Sequence, residues 1–222
     1  MSEKRTIGIL GGAGQEGSGL AVRWAAAGHD VLIGSRDRAR AETAAAELTA
    51  LLPGGTIRGV DNAEAAHAAE IVVLTVPYAV QQATALAAAE SLRGKILIDV
   101  TAPLAPPKVG TVQLPAGGSA VVALQQALGP DVTVVAAFQN ISAHHLRDLD
   151  HVMDCDVLVS TDSAEAAEAV IALVADAGMK GWHAGPLANS AAAEALTSVM
   201  ITLNRKYKIS GAGIRITGGA GH

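Results

Sequence analysis

The sequence predicts an α/β fold, a doubly wound parallel sheet followed by a small carboxy-terminal α/β portion. Three observations carry this expectation. Short aliphatic or β-branched runs alternate with longer Ala-rich segments at helical spacing, the pattern of βαβ units around a parallel sheet. A glycine-rich stretch, residues 11–17, follows the first apolar run directly. Only residues 138–222 remain after the sixth such run, too few for a second large domain.

Each element has its own local reason. Strands are predicted at 6–10, 30–34, 56–60, 71–76, 95–100 and 132–136, where Ile, Val and Leu cluster as they do in strands buried on both faces. Helices are predicted at 14–27, 38–52, 63–69, 80–91 and 120–128, all rich in Ala. Gly28, Gly94 and Gly129 stand where a helix end favours a residue able to take positive φ. The Pro-rich stretch 101–107 reads as a loop above the sheet. Beyond it come a strand at 154–159, a helix at 164–177, a strand at 180–184 and a last helix at about 187–204. In that last helix Leu196, Met200 and Leu203 share one stripe, with Val199 adjacent, and the stripe is expected to pack on the domain or on a second subunit. This divides the chain into a main domain, 1–137, and a small carboxy-terminal domain, 138–222.

Composition narrows the partners. The 222 residues carry a formal charge of −5 and only 2% are aromatic, so the chain lacks the basic surface and stacking platform that nucleic acids need. No apolar run reaches membrane-spanning length; even 164–177 is broken by Glu165, Glu168 and Asp176. Residues 1–6 are charged and do not read as a secretory leader, and a single cysteine, Cys155, forms no internal disulfide. The reading is a cytoplasmic, globular chain.

The glycine-rich stretch carries the first chemistry. Gly12, Gly14 and Gly17 supply G-x-G-x-x-G between a strand and a helix, the context in which that spacing marks a dinucleotide site of Rossmann type. Gly12 is expected to permit the tight turn, Gly14 to let a pyrophosphate approach the backbone, and Gly17 to let helix and strand lie close. The helix N-terminus offers unpaired N–H groups to the phosphates. The second strand ends in Gly34, Ser35 and Arg36, with Arg38 and Arg40 beyond, where an NAD binder places an acid on the ribose. A hydroxyl and guanidinium groups suit a 2′-phosphate, and Asp37 is read as a helix cap, so the expected cofactor is NADP.

Other clusters carry less. His144, His145, Asp148, Asp150, His151, Asp154 and Cys155 follow no established ligand spacing, and no metal site is expected. Ser142 and His144 lack the strained turn and acidic partner of a nucleophile triad.

The segments 10–17, 28–30, 34–36, 74–78 and 184–190, taken in order, resemble the NADPH-dependent reductases of the deazaflavin coenzyme F420. That resemblance implies reversible hydride transfer between NADP(H) and the deazaflavin in a homodimer. It implies that Ala13, Gly14, Gln15 and Glu16 line the pyrophosphate, that Ser35, Arg36 and Arg40 hold the 2′-phosphate, and that Val76, Pro77 and Val100 flank the nucleotide. Ser142 would fall near the nicotinamide. The acceptor would meet Phe138, Gln139, Asn140 and Ile141 together with 211–214, Gly213 and Ile214 above all. The archaeal pattern has a His and a Pro where Gln139 and Ser142 stand here. Ring-to-ring hydride transfer needs alignment and dryness rather than a protein acid or base, so no catalytic residue is nominated. Three alternatives stay open: a ferric or flavin reductase, a small-metabolite dehydrogenase, and a non-enzymatic NADP-sensing domain.

Overall fold

A computed structural model describes residues 3–52 and 54–218 of the protein; Met1 and Ser2 of the charged first segment lie outside the described residues. Six parallel strands, β1 (Thr6–Leu10), β2 (Asp30–Ser35), β3 (Ile57–Asp61), β4 (Ile71–Leu74), β5 (Ile96–Asp99) and β6 (Thr133–Ala136), form one sheet in the order β3-β2-β1-β4-β5-β6. The order reverses between β1 and β4. There the connections leave toward opposite faces and open a crevice at the carboxyl edge, where ligands of open α/β sheets bind.

The connecting helices are α1 (Gln15–Ala26), α2 (Arg38–Thr49), α3 (Asn62–Ala68), α4 (Gln81–Ala87), α5 (Ala89–Leu92) and α6 (Ala120–Leu128). Gly28, Gly94 and Gly129 take φ of 96°, 70° and 78° at the helix ends, as expected of them. Two predicted elements differ. The strand expected at 71–76 ends at Leu74, because Thr75 turns back and its Oγ1 donates to the Leu10 carbonyl at 3.0 Å. The helix expected at 80–91 is interrupted at Ala88 (φ −104°, ψ 3°), dividing it into α4 and α5.

The carboxy-terminal portion adds β7 (Asp156–Val159), α7 (Ala164–Asp176) and β8 (Lys180–His183), a parallel pair with its crossover helix. Ser160, just beyond β7, exchanges two backbone hydrogen bonds with Ala136 at the end of β6, 2.9 and 3.0 Å. Ile7, Ile9, Leu20 and Trp24 share one buried cluster with Phe138, Val157, Val170 and Leu173. The Trp24 indole N–H donates to the Leu173 carbonyl at 2.8 Å, and its ring meets Phe138 edge-on, 5.9 Å between centroids.

The last helix, α8 (Ser190–Tyr207), follows a single 3-10 turn, Leu187–Asn189. Its buried residues are Ser190, Ala193, Glu194 and Ser198, not the predicted apolar stripe. Leu196, Met200 and Leu203 are half-buried, and Val199 is exposed. Glu194 explains the inversion: its Oε2 accepts from the Ala120 N–H at 2.8 Å and its Oε1 from the Ser119 hydroxyl at 2.6 Å, so the helix is rotated to cap the N-terminus of α6.

Candidate functional site

The loop after β1 is shaped by close approach. Gly11, not Gly12, takes the positive φ of the turn, 77°. Gly12 is required for a different reason: a Cβ there would stand 2.8 Å from Ile33 Cβ. At Gly17 a Cβ would fall 2.5 Å from Thr75 Oγ1, which joins α1 to the end of β4. At Gly14 a Cβ would meet only the Gly11 carbonyl, at 3.4 Å, so the space above the loop is open to a ligand. Gly14 is the N-cap of α1 and brings no side-chain acceptor, which leaves the first-turn N–H groups facing that space. Asn62, which sequence reasoning missed, anchors the loop by accepting from the Gly11 N–H at 3.3 Å.

At the end of β2, Ser35 is half-buried and its Oγ accepts from the Asp37 N–H at 3.1 Å. Asp37 caps α2 through the Arg40 N–H. Arg38 is taken by Glu42, Asp61 and Glu64, at 3.1, 3.5 and 2.8 Å. Arg36 and Arg40 are exposed, and among the described residues neither pairs with a carboxylate. Ser35 and Arg36 also line a cavity of about 380 Å³ whose other walls include Asn62, Val80, Ala83 and Thr84. A larger hollow, about 600 Å³, lies where β6 begins, at the edge of the sheet away from this loop.

Between the loop and the carboxy-terminal portion lies a buried polar cluster centred on Asp99, the last residue of β5. Its Oδ1 accepts from the Thr101 N–H at 2.9 Å and its Oδ2 from the Gln81 amide, while the Gln139 amide donates to its main-chain carbonyl at 2.7 Å. Burial pushes the Asp99 carboxyl up to about 6, against the pull of the Thr101 and Gln81 donors. Glu16, in the first turn of α1, is pushed up to about 8 by burial and, second, by the charge of Asp99. Four buried oxygens have no partner here: Glu16 Oε1, Gln81 Oε1, Gln139 Oε1 and Asn140 Oδ1. Three of those residues were singled out from the sequence. Gln81 and Asp99 were not, although a carboxylate ending an apolar strand at this edge is a usable signal.

The two segments expected to meet an acceptor are adjacent. A Cβ on Gly211 would lie 3.3 Å from Ser142 Cβ, and one on Gly213 would lie 2.5 Å from Cys155 Cβ. Asp156 ties them: its N–H donates to the Ile214 carbonyl, its carbonyl accepts from the Asn140 amide, and its Oδ2 accepts from the Ile216 N–H and the Trp182 indole. Burial opposes ionisation of Asp156, but those two donors prevail and hold it below the usual carboxylate range. Phe138 behaves differently from expectation. Its ring is fully buried against Trp24, so only its backbone, at φ 71°, reaches the loop. Val76 and Ile141 are largely covered and Val100 is buried, while Pro77 and Gln15 are exposed.

The histidines pack on one another. The His145 ring stacks on His151 at 4.1 Å, and His145 Nε2 lies 3.1 Å from Ser210 Oγ. Among the described residues no three His, Cys, Asp or Glu side chains gather as a metal site would require. The Cys155 thiol is pushed up to about 11 by burial, so it is not a ready nucleophile.

The model of the family "NADP oxidoreductase coenzyme F420-dependent" matches residues 6–103. The F420-dependent NADP reductase of Methanothermobacter marburgensis is 39% identical over 218 residues, 95% of this chain and 97% of that one. The enzyme of the same name from Methanocaldococcus jannaschii is 38% identical over 219 residues, again 95% and 97%. A crystal structure from Arthrobacter sp. FB24, given as a candidate F420-dependent NADP reductase, superposes with a TM-score of 0.82 at 28% identity, covering 96% of this chain and all of that one. With a glycine-rich loop open at the switch point and relatives of 38% and 39% identity matched over 95% of its length, this chain belongs to the family of coenzyme F420-dependent NADP reductases.

Proposed function

We propose that the protein is an oxidoreductase catalysing reversible hydride transfer between NADP(H) and the deazaflavin coenzyme F420. The observation that carries the NADP half is the pair Arg36 and Arg40, which have no carboxylate partner among the described residues while Arg38 beside them has three. With Ser35 they form a cationic end to the crevice suited to a 2′-phosphate. The uncapped first turn of α1, with Ala13, Gly14, Gln15 and Glu16, receives the pyrophosphate, and Gly12 and Gly17 keep the loop low enough for it. Val76, Pro77 and Val100 flank the nucleotide, and Ser142 lies toward the nicotinamide.

When bound, the nicotinamide supplies or accepts the hydride at its C4. The chain's own part is positioning. Asp99 holds Gln81, Gln139 and Thr101 in one rigid cluster at the edge, and the unpartnered oxygens of Gln139 and Asn140 offer acceptors to a ring carrying N–H groups. Backbone from Phe138 to Ile141 and from Gly211 to Ile214, fixed through Asp156, forms the wall of the acceptor slot, with Gly213 and Ile214 nearest. No group of the protein takes part in bond making.

The finer readings follow from the same frame. Residues 138–222 act as a small carboxy-terminal domain that supplies the acceptor wall and the subunit contact. Two copies pair as a homodimer through the outer face of α8, where Val199 is 42% and Tyr207 60% exposed. The protein acts in the cytoplasm with a small-molecule redox partner and no nucleic acid, in keeping with its acidic charge and with no described helix long and apolar enough to cross a membrane. Mixing the protein with NADPH and the deazaflavin should bleach the nicotinamide absorbance. Turnover with free flavin or Fe(III) but not with the deazaflavin would overturn the reading, as would tight NADPH binding with no turnover of any acceptor.

A further inference from the structure

The phosphate-binding turn contains an acid. Glu16 is the second residue of α1, in the first turn whose N–H groups face the nucleotide space. The residue as a whole is half-buried, but one of its carboxyl oxygens is sealed from solvent and has no hydrogen-bond partner. Among the described residues no cation pairs with it. The charged group that faces it is Asp99 from β5, itself fully buried and backed by Glu194 from α8. Two cations at α1 are engaged by other groups: Arg23 donates to carbonyls at 145, 146, 148, 151 and 177, and Arg147 donates to Ser18 Oγ at 2.7 Å. An anionic Glu16 would thus meet one buried carboxylate, no cation, and an incoming pyrophosphate.

We propose that Glu16 is carried as a neutral carboxylic acid and that nucleotide binding is linked to its protonation, the site accepting the pyrophosphate when Glu16 holds its proton and repelling it when Glu16 is charged. The inference rests on the nucleotide-binding reading above and adds a pH-dependent specificity element to it. Two effects act in one direction. Burial and the charge of Asp99 already raise the group to about 8 in the empty site, and the phosphates bring further negative charge beside it. The free protein therefore takes up a proton on binding once the pH exceeds the empty-site value. By linkage, the dissociation constant then rises with pH toward a limit of about tenfold per unit. The 2′-phosphate titrates near pH 6 and is already about nine-tenths ionised at the acid end of this range.

The test is calorimetric titration of NADP+ into the full chain between about pH 7 and about pH 9.5, each pH in two buffers of different ionisation enthalpy. The expected result is affinity nearly constant at the acid end, falling toward tenfold per unit at the alkaline end, with a buffer-dependent heat approaching one proton taken up. Glu16→Gln should bind at the alkaline end about as tightly as the wild type does at the acid end, with no buffer-dependent heat. Wild-type binding that is strong yet flat in pH, with no proton uptake, overturns the inference and leaves the nucleotide reading intact. Folded protein that fails to bind NADP+ at any pH overturns both. The proton count of the wild type decides the matter even if the Gln variant does not fold.

Discussion

Arg23 fixes the loop from which the acceptor wall departs. It is buried, and its guanidinium donates to the carbonyls of Leu146, Ala177, His145, Asp148 and His151 at 2.8 to 3.4 Å. One side chain thereby satisfies carbonyls from the turn after Ser142 and from the end of α7. Arg23→Ala leaves the Leu146 and Ala177 carbonyls buried without this donor, and a loss of about 3 to 5 kcal/mol of stability is expected in urea denaturation. At Glu16 the sign runs with pH. The folded chain keeps a proton up to about 8 that the unfolded chain loses near 4.5, so this group makes stability fall as pH rises through that window. Glu16→Gln should match the wild type near the acid end of the window and exceed it at the alkaline end by about 2 kcal/mol, allowing for partial exposure. Thermal melts at the two ends check this; an equal difference at both would refute a titrating Glu16. Arg36→Ala tests the other end of the crevice. On the proposed assignment it removes roughly 1.5 to 3 kcal/mol of charged hydrogen bonding to a 2′-phosphate, so KM for NADPH should rise far more than KM for NADH.

At the scale of elements, α8 has a buried polar face and an exposed face. Its inner face caps α6 through Glu194, and Glu194→Ala should cost about 2 to 4 kcal/mol and raise hydrogen exchange in the first turn of α6. Its outer face carries Val199, flanked by the half-buried Met200 and Leu203, and Val199→Glu should turn the proposed homodimer into monomer in sedimentation velocity with the melting temperature of the monomer little changed. The strands were legible because a parallel sheet buried on both faces favours short runs rich in Ile, Val and Leu, and β1, β2, β4, β5 and β6 are all of that kind. The phosphate loop was legible because backbone geometry forces Gly into a fixed spacing, although the roles of Gly11 and Gly12 separate only in three dimensions. The rotation of α8 was not legible. An apolar stripe predicts burial, but here a carboxylate from position 194 meets a helix start at 119–121, and no local pattern records a partner so far away in sequence. A shorter separation hid the pairing of Gln81 with Asp99, which lie 18 residues apart in different elements. Phe138 misled for the opposite reason: its place in the chain is beside the acceptor loop, while its ring belongs to the core.

For the whole molecule, the decisive feature is that one buried cluster draws on both sides of residue 137. Trp24 and Leu20 from α1 pack with Phe138, Val157, Val170 and Leu173, and Arg23 and Trp24 both donate to carbonyls in the carboxy-terminal portion. A large shared apolar cluster couples the two portions, because neither can open without exposing the other's buried surface. The proposed division at residue 137 is therefore one of function rather than of folding. The intact chain is expected to melt in a single transition, with near-UV circular dichroism from Trp24 and Trp182 coinciding with the far-UV signal. A fragment ending at residue 137 is expected to keep part of its helix content and to lose the near-UV signal of Trp24, since the partners of that indole are gone. Two separated transitions, or a fragment with native near-UV signal, would show that the portions are independent. Saturating NADP+ then reports on the site within the same experiment: it should raise the single melting temperature of the intact chain, by an amount that grows with the logarithm of nucleotide concentration, and leave the fragment's signal unchanged.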